Sequence, residues 1–194
     1  IRPWLCISGI NRGPNLSIDV LHSGTVSAAR EASLYGLPSL SVSLATYSHQ
    51  DYSQSIEATL ALVERLSHLV TAEPSNILRP EGSRMRPIRG TGTNSLRSWF
   101  TQGNMFLNLN IPENWNGTFQ TVPLGARWYH NATDMIDQKS TGVAFEVGAA
   151  RIVDEEIEMT DCHAIATGSA SITPLASWPQ NPPLGVPQSI MQAS

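Results

Sequence analysis

The sequence predicts an α/β fold whose sheet is mostly parallel, followed by a C-terminal antiparallel β-hairpin extension. Apolar runs of strand length alternate with helical patterns over residues 1–111, and strands joined by helices pair in parallel through right-handed crossovers. After Pro112 short runs follow at 118–122, 125–129, 143–147 and 169–173. Turn residues separate them and no convincing helix lies between them, a pattern typical of antiparallel hairpins. We therefore expect a three-layer, Rossmann-like core with a β-rich extension.

The core elements follow one another at short intervals. Strands and helices are expected in turn at 4–7, 24–35, 39–44, 56–70 and 105–111. The first helix begins after Ser23, a residue type favoured at the N-cap. It ends before Gly36 and Pro38, because glycine is favoured just after a helix and proline cannot continue one. Each strand thus leads through a loop into a helix or a further strand.

The second helix carries an apolar stripe that we expect to face the core. The members of the stripe recur at helical spacing, and they are Ile56, Leu60, Val63 and either Leu66 or Val70. Asp51, with Gln54 three residues later, is typical of a helix start.

Residues 71–98 are rich in Pro, Gly, Ser and Arg, and predict a long loop. A loop of this length is unusual inside a compact domain and indicates an insertion. The whole chain is expected to be a single domain, with an α/β core at 1–111, a β-rich assembly part at 112–175 and a Pro-rich tail at 176–194.

The composition limits the class of protein. A chain of 194 residues with 41% hydrophobic and 14% charged residues is typical of a globular protein with a real core. The net charge of −4 argues against a nucleic-acid polymer as partner, because such binders are normally basic. Neither a signal peptide nor an apolar run of membrane length is evident, so a cytoplasmic location is expected.

Residues 8–30 are the most informative stretch of the chain. An apolar strand is followed by a loop rich in Gly, Pro and Asn, and then by the helix that begins after Ser23. Because the N–H groups of a first helical turn lack intrahelical partners, this order forms a site for anions. Asn11, Asn15 and Thr25 add oxygen and amide groups suited to a phosphate or a hard metal ion.

Three blocks of the sequence closely resemble the SurE family of survival-protein nucleotidases. The first is SGINRGPN at 8–15 with HSGTVSAARE at 22–31, the second is MFLNLNIP at 105–112, and the third is TDCHAIATGSASITPL at 160–175. Since the blocks occur in the family's order over most of the chain, chance similarity is a poor explanation.

The resemblance implies a metal-dependent phosphatase that hydrolyses nucleoside monophosphates or another small phosphomonoester. It implies Asn11 as a ligand of a divalent metal, Mg²⁺ or Mn²⁺, and a phosphate site formed by Asn15, Ser23, Gly24 and Thr25. Extended hairpins serve subunit assembly in the family, so a homo-oligomer, a dimer or a tetramer, is expected. The resemblance identifies no catalytic nucleophile in this chain.

The sequence departs from the family pattern in its metal ligands. Members of the family bind the metal through two adjacent aspartates, a serine and the asparagine that corresponds to Asn11, whereas this sequence contains no Asp-Asp pair. The chain is therefore expected to correspond to the family's back portion without its front strands, and to have weak activity by itself. Two alternatives remain open: a non-catalytic phosphate-binding or assembly remnant, and one subunit of a split enzyme.

Other polar residues have simpler interpretations. Asp19 is expected to make local hydrogen bonds, and the acidic run 154–158 is expected to be a solvated turn. Thr160 and Asp161 are interpreted as structural residues that join the back strands to the core. His22 precedes Ser23, but sequence neighbours rarely achieve the geometry of a nucleophile and its base, so a catalytic pair is not expected.

Overall fold

A computed structural model describes residues 3–70, 93–131, 133–139, 142–147 and 151–178. The strands of this described part are β1 Cys6–Arg12, β2 Ser39–Leu44, β3 Met105–Ile111, β4 Phe119–Thr121, β5 Arg127–His130, β6 Thr133–Lys139, β7 Gly142–Val147, β8 Arg151–Asp154 and β9 Ala170–Ala176. Its α-helices are α1 Gly24–Leu34, α2 Ser53–Ser67, α3 Thr93–Thr101 and α4 Asp161–Ala166. A 3-10 helix at Ser17–Leu21 precedes α1.

Five of the strands form the central sheet, in the order β1-β2-β3-β9-β4. The β1–β2, β2–β3 and β4–β9 pairs are parallel, and only β9 runs antiparallel to its neighbour β3. Helices cover both faces, so the predicted α/β fold with a mostly parallel sheet is confirmed. Strands β6 and β7 form the predicted type of antiparallel hairpin, and β5 pairs antiparallel with β8.

The expectation that all short runs after Pro112 form hairpins is wrong for β4 and β9. Both lie in the central sheet, where β9 pairs with β3 along its whole length. Burial explains this placement, because Ala170 and Ile172 of β9 join the apolar core. The short helix α4, which the sequence did not predict, leads directly into β9. Its N-cap is Thr160, whose Oγ1 accepts a hydrogen bond from the His163 N–H at 3.4 Å.

One face of the sheet is apolar and packs against α2 and α3. Its largest fully buried side chains are Leu40, Leu44, Leu109 and Ile111, with Phe100 from α3 packed on them. The predicted strands at 39–44 and 105–111 have the observed bounds. Helix α3 was not predicted from the sequence, and Phe100 in its last turn is buried in the apolar core. The expected loop at 71–98 therefore ends at Thr93, and the rest of it lies outside the described residues.

The predicted buried stripe of α2 is wrong for Ile56 and Leu60 but confirmed for Leu66, which is buried, and Val63 is partly buried against the core. Ile56 and Leu60 are exposed, at 50% and 64%. The buried residues lie on a neighbouring face of the helix: Ser55, Ala58, Thr59, Leu62 and Leu66. Small side chains on that face allow the helix backbone to approach the sheet closely, and a search for large apolar residues overlooks them.

The other face of the sheet is largely polar. It presents side chains that are all fully or nearly fully buried: Ser41 and Ser43 from β2, Asn108 and Asn110 from β3, and Ser171 and Thr173 from β9. Helix α1 and the loop before it cover this face. The predicted helix at 24–35 is confirmed as α1, whose buried residues Val26 and Ala29 form a small cluster with Phe106.

Strand β1 is longer than predicted and continues to Arg12 rather than ending at Ile7. Its pairing with β2 is irregular between Ser8 and Asn11. Gly9 has a φ of +133°, and a Cβ atom there would lie 2.4 Å from the Val42 carbonyl oxygen, so this irregularity requires glycine. The extension places Asn11 at the carboxyl end of the strand. Of the predicted tail at 176–194, residues 179–194 lie outside the described residues.

Candidate functional site

A cleft of about 490 Å³ opens at the carboxyl edge of the parallel strands. It is lined by Asn11, Pro14, Asn15, Ile18, Asp19, His22, Ser23, Tyr47 and Tyr129. In parallel α/β sheets, ligands bind beyond the carboxyl ends of the strands, which is where the sequence places this site. The structure thus brings together three of the predicted site residues, Asn11, Asn15 and Ser23.

Asn11 reaches the cleft from the end of β1. Its Nδ2 donates a hydrogen bond to the Gly13 carbonyl oxygen at 3.0 Å, which fixes the orientation of the amide. None of the described residues donates to its Oδ1, so this oxygen is available to a ligand. Gly13 has a φ of +103° and the ring of Tyr47 packs directly against it, since a Cβ atom at Gly13 would lie 2.2 Å from that ring. The loop after β1 is therefore tightly packed against the loop after β2.

Asn15 is docked onto the polar face of the sheet. Its N–H donates to Asn110 Oδ1 at 2.8 Å, and its carbonyl oxygen accepts from Asn110 Nδ2 at 3.0 Å and from Asn108 Nδ2 at 2.8 Å. The Asn15 Nδ2 donates to Ser43 Oγ at 2.7 Å. Because buried polar groups need partners, this set of bonds holds the loop in one position. A structural role is thereby added to the phosphate contact predicted for Asn15.

Ser23 caps α1, as predicted. Its Oγ accepts a hydrogen bond from the Val26 N–H at 3.1 Å. The Ser23 side chain also lines the cleft, so the cap and a ligand contact are compatible. Gly24 and Thr25 lie in the first turn of α1 but are not among the cleft-lining residues. A Cβ atom at Gly24 would meet no other atom within 4 Å.

Ser17 adopts a backbone conformation that glycine tolerates better than other residues. Its φ is +51°, in the left-handed region that costs other residues energy. Compensating bonds come from distant residues. The Ser17 N–H donates to Asp161 Oδ2 at 2.9 Å, and its hydroxyl donates to the Gly125 carbonyl oxygen at 2.9 Å. Asp161 also accepts from the Gly125 N–H at 2.7 Å, which agrees with the structural role expected for it.

A buried ionic network lies behind the cleft wall. Arg127 Nη1 donates to Asp19 Oδ2 at 2.8 Å, and its Nε and Nη2 donate to the two Asp154 oxygens at 2.6 and 2.8 Å. Tyr129 donates its hydroxyl hydrogen to Asp19 Oδ1 at 2.5 Å. The expected local role of Asp19 is therefore incomplete, since among the bonds to its carboxylate only the one from the Leu16 N–H is local. The acidic run 154–158 is exposed as expected, and its first residue, Asp154, also pairs with Arg127.

The environment of this network favours the charged form of Arg127 and the protonated form of Tyr129. Burial opposes the charge of the Arg127 guanidinium, but the hydrogen bonds and negative charges of Asp154 and Asp19 outweigh it, so the pKa of Arg127 is raised. Burial raises the pKa of Tyr129, and the hydrogen bond to Asp19 raises it further, to about 12. Tyr129 is therefore a neutral hydrogen-bond donor at physiological pH.

Sequence patterns did not identify Tyr47, Arg127 or Tyr129 as site residues. Arg127 and Tyr129 belong to the four-residue strand β5, which carries no recognisable motif. Their partner Asp19 lies 108 positions away from Arg127 in the chain. Only the two aromatic residues in RWYH, shortly after Gly125, could have drawn attention to this strand.

The cleft offers one side chain, Asn11, that can serve as a ligand of a metal ion. Asn11 Oδ1 is a neutral oxygen ligand of the kind that Mg²⁺ accepts, but Mg²⁺ sites in proteins also use one or two carboxylates. Asp19, the carboxylate in the cleft lining, has both oxygens occupied by Arg127, Tyr129 and the Leu16 N–H. Within the described ranges there is no group of three His, Cys, Asp or Glu residues that could hold a metal ion.

The segments that line the cleft lie within a region that matches a known protein family. The family model described as Survival protein SurE matches residues 1–133, which include every residue that lines it. The chain belongs to the SurE family. The matched region contains the long strand β1, the docked loop and the capped helix α1.

Individual SurE relatives extend the similarity over most of the chain. A protein named 5'-nucleotidase SurE from Synechococcus sp. (strain JA-3-3Ab) is 34% identical over 175 residues, which are 89% of this chain and 56% of the relative. One of the same name from Heliobacterium modesticaldum is 34% identical over 89% of this chain and 54% of the relative. The chain thus spans about half the length of these curated relatives.

The fold also matches a solved SurE structure. The crystal structure of the SurE protein from Aquifex aeolicus aligns with a TM-score of 0.61 and 25% identity, over 98% of this chain and 63% of that chain.

In the part of the chain that the structure describes, no helix has the length and apolar character needed to cross a bilayer.

Proposed function

We propose that this chain belongs to a metal-dependent phosphomonoesterase that hydrolyses nucleoside monophosphates, with 5'- or 3'-nucleotidase activity. The observation that carries the proposal is the cleft at the carboxyl edge of the sheet, whose lining includes Asn11 and Ser23, the N-cap residue of α1. The name 5'-nucleotidase, given to relatives at 34% identity, supports the same activity.

The phosphate group is held by the first turn of α1 in this proposal. The Val26 N–H is used by the Ser23 cap, whereas the N–H groups of Gly24 and Thr25 precede the first intrahelical hydrogen bonds. These groups and the positive end of the helix dipole favour an anion. Ser23, the N-cap that directly precedes these groups, and Asn15 both line the cleft.

Asn11 supplies one ligand of a divalent metal, Mg²⁺ or Mn²⁺. When bound, the metal supplies a positive charge that polarises a phosphoryl oxygen and lowers the pKa of water. The hydrogen bond from Asn11 Nδ2 to Gly13 keeps Oδ1 turned away from the loop backbone. The carboxylate ligands of the site come from outside the described residues, and we propose that this chain alone has low activity. We also propose a cytoplasmic homo-oligomer assembled through the β-rich part.

Phosphate release from nucleoside monophosphates in the presence of Mn²⁺ or Mg²⁺ tests this function. We expect the Asn11→Ala variant to lose at least about 90% of the metal-dependent rate, because it removes a metal ligand without touching the core. Asn114→Ala is the matched control, since Asn114 is exposed and lies outside the cleft. We expect its rate to equal that of the unmodified protein.

Two results would contradict the proposal. Equal rates for Asn11→Ala and Asn114→Ala would show that Asn11 is not a ligand. Absence of any metal-dependent release, together with retained binding of phosphate, would favour a non-catalytic phosphate-binding role. Restoration of turnover by a separately supplied chain bearing paired aspartates would instead indicate a split enzyme.

A further inference from the structure

The wall of the cleft includes a 3-10 helix that distant residues hold in place. The 3-10 helix Ser17–Leu21 provides Ile18 and Asp19 to the cleft lining. It is held by Gly125, which accepts from the Ser17 hydroxyl, and by Arg127, whose N–H donates to Ser17 Oγ at 3.0 Å. The start of β5 therefore positions the residues that lead into α1.

Asp19 poses an electrostatic problem for a cleft that binds an anion. Its carboxylate lines the cleft, and a negative charge there repels a phosphate. In a space of about 490 Å³, such a charge lies well within one screening length of the ligand, about 10 Å at 0.1 M salt. The cleft can attract phosphate only if this charge is compensated.

Arg127 is placed to provide that compensation. Its side chain is only 6% exposed, and it contacts Asp19 from behind the cleft without belonging to the lining. Asp154 holds the guanidinium through two nearly parallel hydrogen bonds, at 2.6 and 2.8 Å. This arrangement leaves Nη1 directed at Asp19, and the planar geometry of arginine suits it better than the single ammonium of lysine.

We propose that Arg127 is a positioning residue for phosphate in this cleft. It neutralises Asp19 and fixes the 3-10 helix, so that the Asp19 carboxylate can hold Leu16 and Tyr129 without repelling the anion. Strand β5 of the β-rich part thereby contributes to ligand binding. The inference rests on the proposed function in one respect, namely that the ligand of the cleft is a phosphate.

A double-mutant cycle of charge-removing substitutions tests this role. Inorganic phosphate is the probe, and isothermal titration calorimetry measures its affinity. Arg127→Met leaves Asp19 uncompensated, and we expect phosphate to bind about tenfold more weakly. Asp19→Asn removes the repulsive charge, and we expect binding at least as tight as in the unmodified protein. The double variant restores the balance of the pair, and we expect its affinity within about threefold of the original value.

The recovery in the double variant is the decisive readout, because a purely structural role predicts additive losses. Arg97→Met is the matched control, since Arg97 donates to the His68 carbonyl oxygen away from the cleft and its loss changes the net charge equally. We expect no change in its phosphate affinity. If Arg127→Met does not fold, Arg127→Lys retains the charge and should bind phosphate within about threefold of the unmodified protein.

Different failures have different meanings. Equal affinity of the unmodified protein and Arg127→Met would overturn the inference and leave the proposed function intact. A double variant as weak as Arg127→Met, or a tenfold loss in Asp19→Asn alone, would also overturn it. Absence of phosphate binding by the unmodified protein would overturn both the inference and the assignment of the cleft.

Discussion

The two faces of the central sheet are built from opposite kinds of side chain. Toward α2 and α3 the sheet presents Leu40, Leu109 and other apolar residues, whereas toward α1 it presents Asn108, Asn110 and neighbouring serines. Apolar contacts are not directional, so the first face stabilises the fold without fixing the cleft. Hydrogen bonds are directional, and those of the second face hold the Asn15 loop in a single place. The comparison assigns stability to one face and positioning to the other.

Leu109 and Asn110 are adjacent in β3, face opposite sides and are both fully buried. The largest expected effect comes from Leu109→Ala on the apolar face, which should lower the free energy of unfolding by about 2–5 kcal/mol through lost burial and a new cavity. Denaturant titration measures this loss. Phosphate affinity, measured without denaturant, should stay within about threefold of the original. A tenfold change in affinity would contradict the division between the faces.

Asn110→Ala is the corresponding substitution on the polar face. It leaves the Asn15 N–H buried without its acceptor, which should cost about 1–3 kcal/mol of stability. Although this loss is smaller than that of Leu109→Ala, phosphate affinity should fall at least about tenfold, because the loop carrying Asn11 and Asn15 is released. Unchanged affinity at a measurable loss of stability would show that the polar face does not position the cleft.

Two substitutions at Ser23 distinguish its helix-capping role from a role in ligand binding. Ser23→Ala should cost about 1 kcal/mol of stability, whereas Ser23→Gly should cost only a few tenths, because glycine is tolerated at the N-cap. Both variants remove the hydroxyl from the cleft. If Ser23 contacts phosphate, the two variants should weaken phosphate binding to the same degree. If Ser23→Ala instead loses more affinity than Ser23→Gly, in step with its larger loss of stability, Ser23 acts only as a helix cap.

A substitution at Thr173 tests whether every buried polar group on the polar face contributes to stability. Its buried Oγ1 has no hydrogen-bond partner among the described residues. Thr173→Val should therefore leave the free energy of unfolding unchanged or raise it by up to about 1 kcal/mol, since a group without a partner gains nothing from being polar. A loss above about 1 kcal/mol in thermal or denaturant unfolding would show that the hydroxyl is needed.

The smallest effect at neutral pH concerns Tyr129, whose pKa is raised from 10.0 to about 12. A raised pKa means that the folded state holds the phenolic proton more tightly than the unfolded state. The stability this adds is complete below pH 10.0 and is lost as the pH rises through about 12. Phenolate absorbance should show one late-titrating tyrosine that Tyr129→Phe removes. A single transition near pH 10.0 for all four tyrosines would contradict this environment.

The sequence by itself determined those features that depend on neighbouring residues. The capped helix α1, the strands β2 and β3 with their bounds, and the position of Asn11, Asn15 and Ser23 near the carboxyl edge of the sheet could all be predicted. Capping, glycine and proline signals and strand alternation act over a few residues, so they can be recognised in one segment at a time.

Only the tertiary structure decided which distant segments meet. The bond between Asn15 and Asn110 spans 95 positions and the pair of Asp19 with Arg127 spans 108, and no local pattern marks either. The buried face of α2 was likewise set by the close approach of Ser55 and Ala58 to the sheet, rather than by the largest apolar side chains. Packing and directional hydrogen bonding between remote residues decide these features, because they exist only once the chain has folded.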